Sequence, residues 1–206
     1  MRVAIVGGTG PFGRALATRL HKAGLEVVVG SRDATRAAET ALELDCLGAA
    51  NGDACADADF VILAVTAEAA LDTARELRES IGSTPVLSVA SELRFTKAGV
   101  FPSSETRSLA ERIQAELDGP VLAGLHSLAA VSLGGDDPPD EDAFVCGDDP
   151  DAKAVALELA EHLTSGRALD AGPLASARAL EGLTAVIINM NKQYRAHAGI
   201  RVTGLG

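Results

Sequence analysis

Aromatic residues are scarce: the 206-residue chain has no tryptophan, one tyrosine and five phenylalanines. Stacking the bases of a single strand needs such rings, so that ligand class is poorly served. Basic clusters are missing too. Eighteen Lys+Arg stand against 29 Asp+Glu for a net charge of −11, and no Lys/Arg-rich run offers a duplex a cationic face. Nucleic acid is thus excluded as the main ligand, and the acidity (pI ≈ 4.8) reads as a solubility feature. No apolar stretch approaches the ~20 residues of a membrane span; the longest near-continuous one is Phe60–Val65. The opening MRVAIVGGTG lacks a signal-peptide core and cleavage site, so a cytoplasmic protein with no membrane partner is expected. Cys46, Cys55 and Cys146 form no CxxC pair and read as reduced thiols. The four histidines show neither HxxxH nor HExxH spacing. The acidic run Asp136–Asp142 lacks EF-hand spacing and reads as a solvated turn, so no metal is expected.

What is present is a globular composition, 47% apolar and 23% charged, enough to bury one sizeable core. Hydrophobic periodicity alternates between strand and helix along the chain. Arg2–Val6 reads as a buried strand, Pro11–Ala23 as a helix stopped by Gly24, and Glu26–Val29 as a second strand. Helix Ala34–Leu44, strand Phe60–Val65, helix Ala67–Arg78 and strand Val86–Val89 follow. Further strands are expected at Val121–Leu125, Phe144–Cys146 and Arg167–Leu169. Asp149-Pro150 is a helix start, a capping carboxylate followed by proline, for a helix running to about Thr164. A last helix, Ala175–Arg195, carries Leu180, Leu183, Ile187, Met190 and Tyr194 on one stripe, with Val186 beside it. Such alternation predicts an α/β fold: a doubly wound, mostly parallel sheet with helices on both faces and a helical C-terminal extension.

Gly8-Thr9-Gly10-Pro11-Phe12-Gly13 is a GxGxxG that follows a strand and opens a helix. That is the context in which glycine lets the backbone approach a pyrophosphate held at the helix N-terminus, and it makes the fold Rossmann-like. The bland alternative is an ordinary glycine-rich turn. Enzymes using NAD place Asp or Glu at the end of the second strand for the ribose 2′-OH. Here Ser31-Arg32 stand in that place, with Arg36 one helical turn on. A hydroxyl and two guanidinium groups suit a 2′-phosphate, so NADP is predicted over NAD. Asp33 next door reads as the cap of the second helix, and pairing of both arginines with surface acids is the competing reading.

Other chemistry is missing. The Tyr-x-x-x-Lys of short-chain dehydrogenases is absent, since Ala198 follows Tyr194 at that spacing, and there is no Gly-x-Ser-x-Gly. No side chain stands out as a placed proton donor. Hydride exchange between two bound redox cofactors needs less: two rings in contact and shielded from water.

GGTGPFGRALATRL, VVVGSRD, LHSL, FVCGDDPDAK and LDAGPLASARALEGLTAVIINMNKQYRAHAGIR together resemble the NADPH-dependent coenzyme F420 reductases, in order over Met1 to Leu205. The first motif is common to many dinucleotide binders, and the C-terminal stretch is the specific one. The resemblance implies direct hydride transfer between the nicotinamide of NADP and the deazaflavin of coenzyme F420. It assigns Thr9, Ser31, Arg32 and Arg36 to the 2′-phosphate and the Gly8–Gly13 turn to the pyrophosphate. It makes His126 the candidate catalytic residue, as a positioner of the deazaflavin ring with Ser127 and Leu128 beside it. Ala64, Val65 and Thr66, and Ala90 on the next loop, join the cofactor site. Thr66-Ala67 stand where many members have proline and a bulky residue, and Glu92-Leu93 where they often have Pro-Leu. Arg94, Lys97, Lys192, Arg195 and Arg201 are candidates to offset Glu92 toward an anionic coenzyme. Residues 1–171 are expected to form the NADP-binding unit and 172–206 an extension completing the deazaflavin site. The apolar stripe of the last helix, with the resemblance, points to a homodimer. Two other readings remain: an NADP-dependent imine or ketone reductase on this scaffold, and a non-enzymatic NADP-sensing module. Imine reductases follow their nucleotide domain with a long helical one, whereas only residues 172–206 follow Ala171 here.

Overall fold

Val3, Ala4, Ile5 and Val6 are wholly buried, as a strand covered on both faces requires. They belong to β1 (Arg2–Val6) in a computed structural model that describes residues 1–205. The chain continues through α1 (Pro11–Lys22), β2 (Glu26–Ser31), α2 (Ala34–Leu44), β3 (Leu47–Ala50) and α3 (Asn51–Ala56). Then come β4 (Phe60–Leu63), α4 (Ala67–Ile81), β5 (Val86–Ser88), and a hairpin of β6 (Leu93–Thr96) and β7 (Gly99–Pro102). Next are α5 (Leu109–Gln114), β8 (Val121–Gly124), α6 (Ala130–Leu133) and β9 (Ala143–Gly147). The chain finishes with α7 (Pro150–Glu161), β10 (Ala168–Asp170) and α8 (Ala177–Tyr194).

Eight strands form one sheet in the order β10-β9-β8-β5-β4-β1-β2-β3, parallel throughout except where β9 runs against β8. The predicted doubly wound sheet is therefore present. From β1 the chain winds outward to β2 and β3, then returns to β4 on the other side. Loops leaving β1 and β4 part at this reversal, which opens a crevice beyond the strand ends. One core packs Val6, Val28, Val61 and Leu63 against α4, α5 and the start of α8. The opposite face packs Ile5, Val29, Phe60 and Ile62 against α1 and α7. Among the described residues no helix is long and apolar enough to cross a membrane.

Several elements depart from the sequence expectation. β2 runs on to Ser31, so the residues expected to face the 2′-phosphate begin inside the ladder rather than after it. β3 was not anticipated, because Leu47-Gly48-Ala49-Ala50 has no β-branched residue. Its packing against α2 depends on Gly48, where a Cβ would sit 2.5 Å from the Ala37 carbonyl. α5 carries a complete capping box, Ser108 with Glu111, a signal present in the sequence and not used.

The acidic run is not simply a solvated turn. Asp136, Asp137 and Asp140 are exposed, but Glu141 and Asp142 are buried. Arg19 of α1 threads under the loop and donates to the carbonyls of Leu133 and Gly135 at 2.9 and 2.7 Å. Asp142 accepts from the Arg167 guanidinium at 2.7 Å and from the backbone N–H of Arg167 and Val202 at 3.0 and 2.7 Å. The segment after α8 is thus strapped to the sheet edge by one buried carboxylate. The Arg167 guanidinium, outweighing burial, holds the Asp142 carboxyl far below the usual carboxylate range. A depressed carboxylate stabilises the fold above its unfolded pKa of about 4, and the gain fades as pH falls below that. Asp142→Asn is expected to cost on the order of 3 kcal/mol at neutral pH, or about 6–12 °C in Tm. The deficit should narrow in acid. A Tm difference that stays constant from pH 7 to pH 3 would contradict this account.

Candidate functional site

The turn after β1 is shaped by backbone approach. Gly7 has φ +80°, and a Cβ there would meet the Ala64 carbonyl at 2.6 Å. At Gly13 a Cβ would lie 2.5 Å from the Gly7 carbonyl, so the turn and α1 close on each other only because both positions are glycine. Gly8 lies in the turn just past β1, its N–H donating to the Gly30 and Ile5 carbonyls at 3.0 Å. Gly10 is the N-cap of α1 and has no side chain to cap it, Pro11 occupies the first turn, and no acid lies there. The free N–H groups of this turn are open to an anion. Gly7 precedes the motif as read from sequence, and its φ explains why Gly7-Gly8 is doubled.

Opposite the turn, at the end of β2, Ser31 is buried and accepts from the Asp33 N–H at 3.2 Å. Asp33 caps α2, accepting from Thr35 and Arg36 N–H at 2.9 and 3.3 Å, as expected. Its carboxylate is thereby committed to the helix. Arg32 and Arg36 are exposed and form no ion pair among the described residues, so pairing with surface acids does not occur. A cavity of about 580 Å³ brings Gly7, Thr9, Gly10, Ser31, Arg32 and Arg36 together with Ala64, Val65 and Thr66. Thr66 is the N-cap of α4 and makes no capping bond, which leaves its hydroxyl unused. Asp33, Asn51, Ala69 and Thr73 complete the wall; sequence reasoning read Asp33 only as a helix cap and missed the other three. Two cations, a hydroxyl, bare backbone N–H groups and glycines no Cβ could replace fit a phosphorylated dinucleotide.

Gly8, Pro11, Phe12 and Gly13 shape this cavity without lining it, and Ala90, His126, Ser127 and Leu128 lie elsewhere, beyond the ends of β5 and β8. There the structure brings Ala90 and His126 together, Nε2 of the imidazole facing the Ala90 carbonyl at 3.4 Å. His126 is 5% exposed and its Nδ1 is buried without a partner. Burial lowers its pKa to about 4, so it is neutral at physiological pH. The preceding Leu125 has φ +66°, which turns the chain sharply off β8. Ser127 donates to the Asp142 carbonyl at 2.9 Å, and Leu128 is buried in the core. Helix α8 joins this corner: Thr184 donates to the His126 carbonyl at 3.0 Å and shares a 2.8 Å hydrogen bond with Ser91. Glu92 is engaged by Ser103 and Arg112. Burial alone would raise the Glu92 carboxyl, but Ser103 and Arg112 outweigh it and hold it lowered, with Arg112 at 2.7 Å. Of the five candidate compensating cations, Arg201 is paired with Asp140 at 2.6 Å, while Lys192 lies 6.0 Å from the Phe95 ring centroid.

Residues 2–92 match the family model for the coenzyme F420-dependent NADP oxidoreductases. The whole chain is 34% identical to the F420-dependent NADP reductase of Methanocaldococcus jannaschii, covering 99% of it. This chain belongs to the F420-dependent NADP reductase family. The Methanothermobacter thermautotrophicus member is 35% identical over the full chain and 96% of its own length. Among solved structures, a candidate F420-dependent NADP-reductase from Arthrobacter sp. FB24 superposes with TM-score 0.85 at 25% identity, over 99% of this chain and 100% of that one. The fold extends to a Streptomyces aurantiacus imine reductase, TM-score 0.66 and 22% identity, of which only 62% is covered.

Proposed function

We propose that this chain moves a hydride between NADP(H) and the deazaflavin of coenzyme F420. The observation that carries it is the cavity where Ser31, Arg32 and Arg36 face the Gly7–Gly13 turn, in a chain alike over its full length to F420-dependent NADP reductases. When bound, the nicotinamide and deazaflavin supply the donor and acceptor carbons, with charge balanced by a solvent proton. The part of the chain itself is binding, orientation and exclusion of water. Thr9, Ser31, Arg32 and Arg36 hold the 2′-phosphate, the Gly8–Gly13 turn the pyrophosphate, and Ala64, Val65 and Thr66 the side of the dinucleotide. His126, flanked by Ala90, Ser127 and Leu128, orients the deazaflavin as a neutral imidazole. Residues 1–171 make the NADP-binding unit, and 172–206 complete the second site through the hydrogen bonds of Thr184. NADPH and oxidised coenzyme F420 mixed with the protein should lose the deazaflavin band near 420 nm. NADPH binding without turnover would leave a reductase of another substrate or an NADP sensor.

The working protein is a cytoplasmic homodimer in this proposal. Leu180 and Ile187 of the expected stripe are buried within the chain itself, while Met190 and Tyr194, with Val186 beside them and Phe95 on the hairpin, stay exposed, an apolar face that a second copy would cover. Light scattering at micromolar concentration should give twice the 21.0 kDa chain mass, and a monomer mass would count against it.

A further inference from the structure

Two polar side chains in the cavity wall have no role in the account above. Asn51 opens α3 and is 8% exposed; Thr73, one turn beyond Ala69 on α4, is 7% exposed. Both line the cavity. The Asn51 Oδ1 is buried and accepts no hydrogen bond. Gly30 of β2 makes room for it, since a Cβ there would lie 2.9 Å from that oxygen. A buried carbonyl without a donor is a cost the free protein carries, and a ligand that supplies the donor removes it. The terminal torsion of asparagine is soft and roughly two-fold, so rotation of the carboxamide presents Oδ1 to the cavity that Asn51 lines.

The sheet says which part of a ligand lies there. Backbone N–H groups at the end of β1 suit the pyrophosphate, and Ser31, Arg32 and Arg36 at the end of β2 suit the 2′-phosphate. Ala50 of β3 stands level with Ser31 of β2. Asn51 therefore begins one strand further out, about 4.8 Å beyond the ribose-reading strand. A dinucleotide running outward along this edge presents its base next.

Resting on the reading that the cavity takes NADP, we propose that Asn51, with Thr73 beside it, reads the adenine edge that carries the 6-amino group. The carboxamide matches that edge: Oδ1 accepts from the amino group while Nδ2 donates to N7. Hypoxanthine has a carbonyl in place of the amino group and would oppose oxygen to oxygen. The Thr73 hydroxyl can donate or accept, so it adds affinity without choosing between the bases. Asn51 is thus a specificity-determining residue for the purine, separate from the arginines that choose NADP over NAD.

Calorimetric titration of NADP⁺, its hypoxanthine analogue and NAD⁺ tests this on the wild type, Asn51→Ala, Asn51→Leu and Thr73→Val. The wild type should prefer NADP⁺ to the hypoxanthine analogue about tenfold, the scale of one lost base-edge contact. Both Asn51 variants should erase that ratio while keeping the NADP⁺/NAD⁺ ratio of the wild type. Thr73→Val should weaken both bases alike. Equal binding of the two bases by the wild type overturns the inference and leaves the proposed function standing. Asn51 variants that melt earlier yet retain the base preference also overturn it, marking the amide as packing only. Failure of the wild type to bind NADP⁺ at all would instead overturn the reading beneath it.

Discussion

Arg32→Ala is expected to weaken NADP⁺ binding by about 1.5–3 kcal/mol, roughly ten- to a hundredfold, with NAD⁺ nearly unaffected. In a chain with 29 acids against 18 bases, most cations could find a carboxylate, and many do. Arg14, Arg75, Arg78, Arg112 and Arg167 are all paired. Arg32 and Arg36 are not, although Asp33 lies between them in sequence. Its Oδ1 is held by the first N–H groups of α2, so the cap keeps the local acid from quenching the local bases. The guanidinium groups stay free for a dianion beside the Ser31 hydroxyl. Both are exposed, so the loss should shrink as salt rises and screens the contact. Arg36→Ala should act in the same direction. Losses of equal size for NADP⁺ and NAD⁺ would remove the arginines from the 2′-phosphate and undo the cofactor assignment.

The nucleotide half of the candidate site was legible in sequence because its residues are close along the chain. A strand, a glycine turn and a helix fall within Arg2–Lys22, and Ser31, Arg32 and Arg36 follow a strand whose position in the sheet the motif implies. What stayed hidden depends on contacts between distant segments. Asn51 reaches the cavity only because β3 pairs with β2, and β3 forms without strand-favouring residues. Thr73 reads as an ordinary polar position on α4 until the fold makes it part of the cavity wall. The acidic run showed its charge but not that Asp142 would meet Arg167, 25 residues on, and Val202, 60 residues on. His126 had no local signal at all. Its place was inferred from likeness to a family, and its buried, neutral state comes from the Leu125 turn and the packing of α8.

That neutral state makes His126→Ala the sharpest test of mechanism. With its pKa lowered to about 4, the imidazole is neutral between pH 5 and 8 and is not charged as an imidazolium acid there. Nδ1 is bare and buried, and Nε2 faces the Ala90 carbonyl, so the ring joins the loops after β5 and β8 rather than exchanging protons with solvent. Direct transfer from nicotinamide to deazaflavin asks only that the rings stay at contact distance. Removal of the imidazole should therefore slow turnover on the order of 100-fold, the effect of about a 1 Å misplacement. The pH profile should keep its shape, because no titrating donor was removed. His126→Gln, whose amide nitrogen can reach the Ala90 carbonyl, should recover part of the rate. Truncating a buried ring also costs stability, so rates belong well below the Tm of each variant. Deuterium at the transferred position of NADPH C4 should arrive on the deazaflavin in the wild type and in both variants. Loss of one limb of the pH profile in His126→Ala, or washout of the label into solvent, would replace positioning with proton transfer through this histidine.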